Sequence, residues 1–215
     1  MRFRDRADAG KRLADRLGGL DLHDPVVLAL PRGGVPVGFE VATALGAPLD
    51  VFVARKVGAP GHREYGIGAI AEGGGEVANA DALRMLHVSG VQWRELVDAE
   101  QLELERRVRS YRGDRSLPDL AAHDVVLVDD GLATGVTAEA SLQALHKLGA
   151  RRIVLAAPAC APETMDRLAG HADDVVCVIS PDYFQAVGQW YDHFDQTSDA
   201  EVLRLLDAAG TVRAR

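Results

Sequence analysis

The sequence is poor in cysteine and has no long apolar run. Only Cys160 and Cys177 occur among 215 residues, and both lie in apolar stretches, where cysteine is typically a small buried side chain. A disulfide framework is therefore not expected, and a reducing cytoplasm fits the composition. No apolar run approaches the roughly 18 residues of a membrane-spanning helix. The first residues, MRFRDRADAGKRLADRLGG, alternate in charge and have no apolar signal segment. We expect a cytoplasmic protein without a membrane partner.

The sequence also lacks an excess of positive charge. Its 24 lysine and arginine residues face 32 aspartate and glutamate residues, which gives a formal net charge of -8. Binding to nucleic acid depends on a basic face that displaces counterions from the phosphate backbone. A nucleic-acid partner is therefore not expected, although a local basic site for a small anion stays possible.

What the sequence does contain is a regular alternation of strand and helix patterns. Short apolar runs recur as PVVLAL, LDVFVARK, DVVLVDD, RIVLAAPA and DDVVCVIS. Helical patterns over 35–45, 137–148 and 162–169 follow three of these runs. This order predicts an α/β fold with a doubly wound, mainly parallel sheet. The length predicts a single domain over 1–215 with an embellishment.

Two regions interrupt the alternation. The glycine-rich segment 58–75 predicts a mobile loop with a short hairpin. The segment 80–117 predicts a helical insertion, which we call the hood. Ser89 and Gln92 form a capping-box pattern at its main helix, and one apolar face carries Val97, Leu104, Val108 and Tyr111. A closing helix is predicted over 198–209.

The stretch VVLVDDGLATGVTA places two acids after an apolar strand and a glycine-threonine loop before a helix. Ionised carboxylates are rarely buried for packing alone, so Asp129 and Asp130 are expected to face a ligand. Unpaired N–H groups at a helix N-terminus stabilise an anion, and Thr134 and Thr137 add hydroxyl donors. The spacing differs from the GxxxxGK[ST] loop of nucleotide triphosphate sites. The pattern predicts a sugar-phosphate site in which the acids accept hydrogen bonds from hydroxyls or help to hold Mg²⁺.

The same stretch resembles the signature of type I phosphoribosyltransferases, in which two acids precede a T-G-x-T loop that binds the 5-phosphate of phosphoribosyl pyrophosphate (PRPP). The resemblance implies that Asp129 and Asp130 face the ribose hydroxyls and hold Mg²⁺. It implies substrate-binding roles for Gly131, Ala133, Thr134, Gly135 and Thr137.

Two further motifs are similar to parts of the same family. LPRGG follows the first strand and resembles the short diphosphate loop, which implies that Arg32, Gly33 and Gly34 contact the diphosphate. VARKVGAPGHREYG resembles the flexible loop that closes over the reacting sugar, with Arg55 and Lys56 at its start. Closure would exclude water from the reacting carbon. The segment has no further lysine, so His62 or Arg63 could supply its charge.

The acceptor side carries a weaker resemblance. PDYFQAVG is similar to the segment of hypoxanthine-type phosphoribosyltransferases that stacks an aromatic ring on the base, although this chain has one extra residue before the Val-Gly pair. Phe184 or Tyr183 could stack on a base, with Trp190 and Tyr191 nearby. Packing of these aromatic residues onto the sheet is an equally good interpretation.

The predicted function is transfer of the 5-phosphoribosyl group from PRPP to a nitrogen acceptor, such as a nucleobase, with release of pyrophosphate. The predicted catalytic residues are Asp129, Asp130, Lys56 and Arg32, with Mg²⁺ as cofactor, and a homodimer is possible. The alternative is a PRPP-binding sensor without transfer activity, for which Arg32, Lys56 and the flexible loop would be unnecessary. A hydrolase lacks a convincing nucleophile, since no GxSxG motif occurs.

Overall fold

Eight strands and seven α-helices make up the computed structural model, which describes residues 1–213. The strands are β1 (Val26–Ala29), β2 (Leu49–Val51), β3 (Ala54–Ala59), β4 (His62–Ala71), β5 (Gly75–Ala78), β6 (Asp124–Val128), β7 (Arg152–Ala159) and β8 (Asp174–Ile179). The helices are α1 (Arg6–Leu17), α2 (Gly34–Leu45), α3 (Ala80–Met85), α4 (Gly90–Arg112), α5 (Val136–Lys147), α6 (Pro162–Leu168) and α7 (Asp199–Arg213). The last two residues of the predicted 1–215 domain lie outside the described part.

The central sheet is parallel, in the order β2-β1-β6-β7-β8. Alternate residues of its buried strands point to opposite faces. One face packs under α1 and α2 and carries Val27, Val126 and Val154. The other packs under α5 and carries Leu28, Leu127 and Leu155. The predicted doubly wound α/β fold is confirmed, because helices cover both faces.

The run LDVFVARK was expected to form one strand of this sheet, and that expectation is wrong. The parallel pairing of β2 with β1 ends at Val51. After Phe52 and Val53 the chain enters β3, which belongs to a separate three-stranded antiparallel sheet in the order β3-β4-β5. Both connecting residues are fully buried, so their side chains look like strand core although their backbone joins two sheets.

The glycine-rich segment 58–75 is more regular than predicted. It contains the ten-residue strand β4, paired with β3 across a register irregularity near Gly58. A Cβ atom on Gly58 would overlap the backbone of Arg63, and one on Gly66 would lie 2.7 Å from Lys56 Cδ. These glycines therefore permit close cross-strand approach, which the sequence pattern does not distinguish from mobility.

The hood consists of α3 and α4. The helix α4 packs onto the three-stranded sheet β3-β4-β5, which we call the hairpin sheet. The predicted capping box is present, since the Ser89 and Gln92 side chains each accept the other's backbone N–H. Arg112, at the end of α4, is buried and binds the Glu72 carboxylate at 2.6 Å. This ion pair ties the hood to the end of β4. The hood as a separate insertion in the domain stays a prediction.

The two cysteines are joined, contrary to the sequence-based expectation. Cys160 follows β7, Cys177 lies on the neighbouring β8, and the structure links them as a disulfide with a Cα–Cα distance of 6.2 Å. They lie 17 positions apart in sequence, so their proximity depends on strand pairing. In residues 1–213, every helix is too short or too polar to cross a membrane.

Candidate functional site

The loop LPRGG meets the end of β6 at the carboxyl edge of the parallel sheet. A Cβ atom on Gly33 would overlap the Asp130 carboxylate, and one on Gly34 would lie 2.7 Å from the Val128 carbonyl oxygen. Glycine is therefore required at both positions for this contact. The peptide bond between Pro31 and Arg32 is cis. The fold thus brings two sequence motifs that lie about a hundred residues apart into direct contact.

Asp129 and Asp130 form a poorly compensated pair of carboxyl groups. The Asp130 backbone N–H donates to Asp129 Oδ1 at 2.8 Å. Burial, and next the neighbouring Asp130 charge, raise the pKa of Asp129 well above its ordinary value. Burial also raises the pKa of Asp130, although the Arg6 guanidinium opposes this. Such pKa shifts are typical of carboxylates in functional sites. Their ionised form is stabilised when a cation or a hydrogen-bond donor binds beside them.

Arg6, on the first turn of α1, is a site residue that the sequence did not predict. Its Nε donates to Asp130 Oδ2 at 2.8 Å, and its Nη1 donates to the Asp195 carbonyl oxygen at 2.7 Å. Its guanidinium lies 4.0 Å from the centre of the Phe194 ring. Asp5, which caps α1, was a visible helix signal, but nothing local indicates that Arg6 reaches a residue 124 positions away.

The two acids could supply part of the coordination shell of a Mg²⁺ ion, with the remaining ligands coming from substrate and water. Within the described residues no group of three or more His, Cys, Asp or Glu side chains could hold a metal. Asp129 and Asp130 can supply at most two carboxylates. Mg²⁺ commonly takes one or two carboxylates together with substrate phosphates and water, so the donor set fits this ion better than one that needs an all-protein cage.

The predicted phosphate loop is held firmly between β6 and α5. Leu132 is anchored by backbone hydrogen bonds of 2.8 Å to Ala159 and Ala161. The Ala133 carbonyl accepts a hydrogen bond from the Thr164 hydroxyl. Gly135 has a φ of +63° and precedes the first turn of α5, a conformation that favours glycine. The loop leads directly into the α5 N-terminus, whose first turn contains Thr137 and whose unpaired N–H groups can receive an anion.

Gly131 begins this loop and lies against the acceptor-side segment. A Cβ atom there would overlap the Val187 side chain. The loop and the PDYFQAVG segment are therefore in contact.

The side chains of Lys56 and Arg55, which were predicted to supply positive charge, point to opposite faces of β3. Lys56 Nζ donates to the Glu64 carbonyl oxygen at 2.7 Å. Arg55 binds Glu100 of α4. Because successive side chains of a strand point to opposite faces, only one of these two cations can face the phosphate loop. That residue is Lys56, which lines a cavity of about 690 Å³ together with Thr134.

Arg32 and Arg167 complete the charged groups around these loops. The Arg32 guanidinium lies 3.8 Å from Asp199 Oδ1 at the start of α7, outside the cavity that Lys56 lines. Arg167 of α6 lines that cavity and donates to the Thr134 carbonyl oxygen. Its place in the sequence, on a short helix without a motif, indicates nothing of this contact.

Phe184 lies in a small aromatic cluster beside the acids. Its ring centre is 5.9 Å from that of Trp190, and both pack against the buried Phe3 and Tyr191. The Tyr191 hydroxyl donates to the Asp130 carbonyl oxygen at 2.6 Å, and burial raises its pKa, so it stays protonated. Stacking and packing both remain compatible with Phe184, whereas the neighbouring Tyr183 is 72% exposed.

Comparisons with known proteins identify the family to which the chain is similar. The family model for the phosphoribosyl transferase domain matches residues 4–193. Two curated proteins from Mycobacterium tuberculosis strains, each named "Putative phosphoribosyl transferase", are 47% identical over 207 residues, which is 96% of this chain. The chain spans about half of their length, 47%.

One solved structure is similar to this chain over nearly the whole length of both chains. The crystal structure of TT1426 from Thermus thermophilus shares 44% identity and a TM-score of 0.81, with 96% of this chain and 98% of that chain covered. The family match covers both loops at the sheet edge and the hairpin between them. The chain therefore belongs to the phosphoribosyl transferase domain family.

Proposed function

We propose that this chain transfers the 5-phosphoribosyl group of PRPP to a nitrogen acceptor of the nucleobase class and releases pyrophosphate. The observation that carries the proposal is the contact between Gly33 and the Asp130 carboxylate. The contact joins the LPRGG loop and the acid-rich loop at the carboxyl edge of the sheet, where α/β folds bind their ligands, which supports a site shared by diphosphate and sugar phosphate. Membership of the phosphoribosyl transferase domain family supports the same activity.

The proposed reaction exchanges one bond at the anomeric carbon. The bond from C1 to a diphosphate oxygen breaks, a bond from the acceptor nitrogen to C1 forms, and that nitrogen gives up its proton. Positive charge grows on the sugar as the diphosphate leaves. Asp129 and Asp130, on the ribose side, would complement that charge, while Arg32 and Lys56 would stabilise the diphosphate. Positioning and electrostatic complementarity would supply the rate enhancement.

We assign the 5-phosphate to the loop before α5. Thr134, Gly135 and Thr137 would bind it through hydroxyl and backbone N–H groups, and the backbone of Gly131 and Ala133 would complete the cradle. The α5 N-terminus favours an anion at this point. Gly34, at the start of α2, would offer a second helix N-terminus to the diphosphate.

Mg²⁺ would neutralise part of the diphosphate charge when it is bound. Asp129 and Asp130 are the residues that we assign to hold it, directly or through the ribose hydroxyls. Their raised pKa values support this role, because a cation beside them would favour the ionised carboxylates.

The acceptor would bind on the far side of the sugar from the diphosphate. We assign Phe184 as its stacking partner, because the segment that carries it contacts Gly131 through Val187. The hairpin of β3 and β4 would close over the sugar and exclude water. Lys56 would then exchange its present partner, the Glu64 carbonyl, for the substrate. Arg55 would contribute only if closure frees it from Glu100.

Pyrophosphate release tests the proposal directly. Purified protein is incubated with PRPP and Mg²⁺, with and without a panel of purine and pyrimidine bases. Release that depends on one base is expected and would name the acceptor. Tight PRPP binding without release for any base would instead favour the sensor function. Light scattering on the same sample tests whether the chain forms a homodimer.

A further inference from the structure

The helix α6 lies against the phosphate loop and carries one cation toward it. Thr164 and Leu168 of α6 cover Gly135, since a Cβ atom there would lie 2.6 Å from Thr164 Cγ2 and 2.9 Å from Leu168 Cδ1. The Thr164 hydroxyl also donates to the Ala133 carbonyl. These contacts fix the position of α6, and therefore the point from which Arg167 extends.

The Arg167 guanidinium reaches the loop itself. It donates to the Thr134 carbonyl oxygen and forms an ion pair with Glu139 of α5. Its Nη2 would lie 3.5 Å from a Cβ atom on Gly135. The side chain is 42% exposed, so it is held at the mouth of the loop and is still accessible to a ligand.

A second cation lines the same cavity as Arg167. Lys56 and Arg167 line the same cavity of about 690 Å³, together with Thr134 and Glu139. Lys56 comes from β3 and Arg167 from α6, so the cavity has a positively charged group on each of two independent elements. A sugar phosphate carries a charge of roughly -1.5 to -2 at neutral pH, which one helix N-terminus does not balance.

Glu139 keeps the arginine in place when no anion is present. It lies in the first turn of α5, where a carboxylate is favoured by the helix dipole. A phosphate bound at the same helix end would carry the same sign of charge as Glu139. It would compete with Glu139 for the guanidinium, which binds phosphate through two parallel hydrogen bonds.

We propose that Arg167 binds the 5-phosphate of the substrate and makes the site selective for a sugar phosphate over a ligand that has only a diphosphate. This inference rests on the proposed function, from which the location of the 5-phosphate is taken. Arg167 exchanges Glu139 for the phosphate on binding, and Lys56 supplies a second positive charge to the same cavity. The residue is a specificity determinant that acts beside the threonine hydroxyls and the backbone N–H groups of the loop.

Calorimetric titration with ribose 5-phosphate tests this role without turnover. Arg167→Met is expected to raise the Kd about ten- to a hundredfold, the usual effect of losing hydrogen bonds to a charged group. Arg167→Lys, which keeps the charge but not the two parallel hydrogen bonds, is expected to fall between wild type and Arg167→Met. Inorganic pyrophosphate should bind to all three proteins with the same Kd. Arg106→Met is the matched control, because Arg106 forms a similar exposed pair with Glu103 on the hood.

Glu139→Gln separates a ligand-binding role from a structural one. If Arg167 binds the phosphate, Glu139→Gln tightens ribose 5-phosphate binding severalfold, and most of this gain is lost in the Arg167→Met background. If Arg167 merely braces the loop through Thr134, Glu139→Gln changes the Kd by the same factor in both backgrounds, and the inference is overturned.

The titrations also distinguish this inference from the proposed function. Wild-type binding of ribose 5-phosphate with an unchanged Kd in Arg167→Met overturns the role of Arg167 alone. No wild-type binding at all overturns both the phosphate loop and Arg167. Arg167-dependent binding without pyrophosphate release from PRPP sustains the inference and refutes transfer. Thermal unfolding of each variant checks that a change in Kd reflects a folded protein.

Discussion

Arg6, at the edge of the parallel sheet, and Arg112, at the end of the hood helix α4, both form ion pairs, but their surroundings differ. Arg112 is 3% exposed, and its partner Glu72 accepts hydrogen bonds from two guanidinium nitrogens and from the Val53 backbone N–H. Arg6 is 12% exposed and donates one side-chain hydrogen bond to Asp130. The Arg6 charge must also offset the negative charge of Asp129, because burial destabilises the ionised form of that carboxyl group.

We infer from this difference that the Arg112 pair is structural and that the Arg6 pair belongs to the proposed binding site. A buried ion pair joined by two hydrogen bonds, like that of Arg112 and Glu72, holds elements together, here the hood and the three-stranded sheet. A pair of acids that share too little positive charge is costly to the fold, and the cost is removed when ligand or metal arrives. The hood network should therefore govern stability, and the sheet edge should govern binding and turnover.

The largest expected effect on stability comes from breaking the hood pair. Arg112→Met should lower the free energy of unfolding by about 3–5 kcal/mol, because it leaves the Glu72 carboxylate buried and unpaired. The midpoint of thermal unfolding should fall by about 6–20 °C, at roughly 2–4 °C per kcal/mol for a chain of this size. The double variant Arg112→Met/Glu72→Leu should recover much of the loss. A single variant as stable as wild type would contradict the structural role.

Asp130→Asn should have the largest effect on turnover. The proposed site uses the carboxylate at the ribose, and loss of one preorganised electrostatic group commonly reduces kcat by about a hundred- to a thousandfold. Stability should change little, since Arg6 keeps the Asp195 carbonyl and the Phe194 ring as partners. The measurements are pyrophosphate release and urea unfolding. Asp192→Asn, at an exposed pair with Arg2, is the control, and unchanged turnover in Asp130→Asn would refute the assignment.

The smallest expected effect is a gain in stability that depends on pH. Burial raises the pKa of Asp129 above its unfolded value, so the folded protein holds a proton there that the unfolded chain releases. Stability is therefore lost as the pH rises through the unfolded and then the folded pKa. Asp129→Asn avoids this loss. Its urea midpoint should match wild type near pH 4 and exceed it at pH 8, while pyrophosphate release falls by no more than in Asp130→Asn. If the variant is less stable than wild type at pH 8, the ionised Asp129 carboxylate does not destabilise the folded protein, and the prediction is wrong.

Much of the fold was readable from the sequence because it is encoded locally. Apolar runs of strand length, helical periodicity and helix caps report the conformation of a few neighbouring residues, and they predicted the parallel sheet, α2, α5 and α6. The two loops could be predicted for the same reason. Each motif stands at the end of a strand, and parallel strands bring their carboxyl ends to one edge of the sheet.

The sequence by itself determined the strand-helix order, the acids Asp129 and Asp130 and the loop that precedes α5. Only the tertiary structure decided that Arg6 binds Asp130, that Arg167 reaches Thr134 and that Lys56 rather than Arg55 faces the cavity. It also decided where LDVFVARK leaves the sheet and that the cysteines meet. These outcomes depend on contacts between elements distant in sequence, which local periodicity does not encode. Packing, and the pairing of buried charge, selects them.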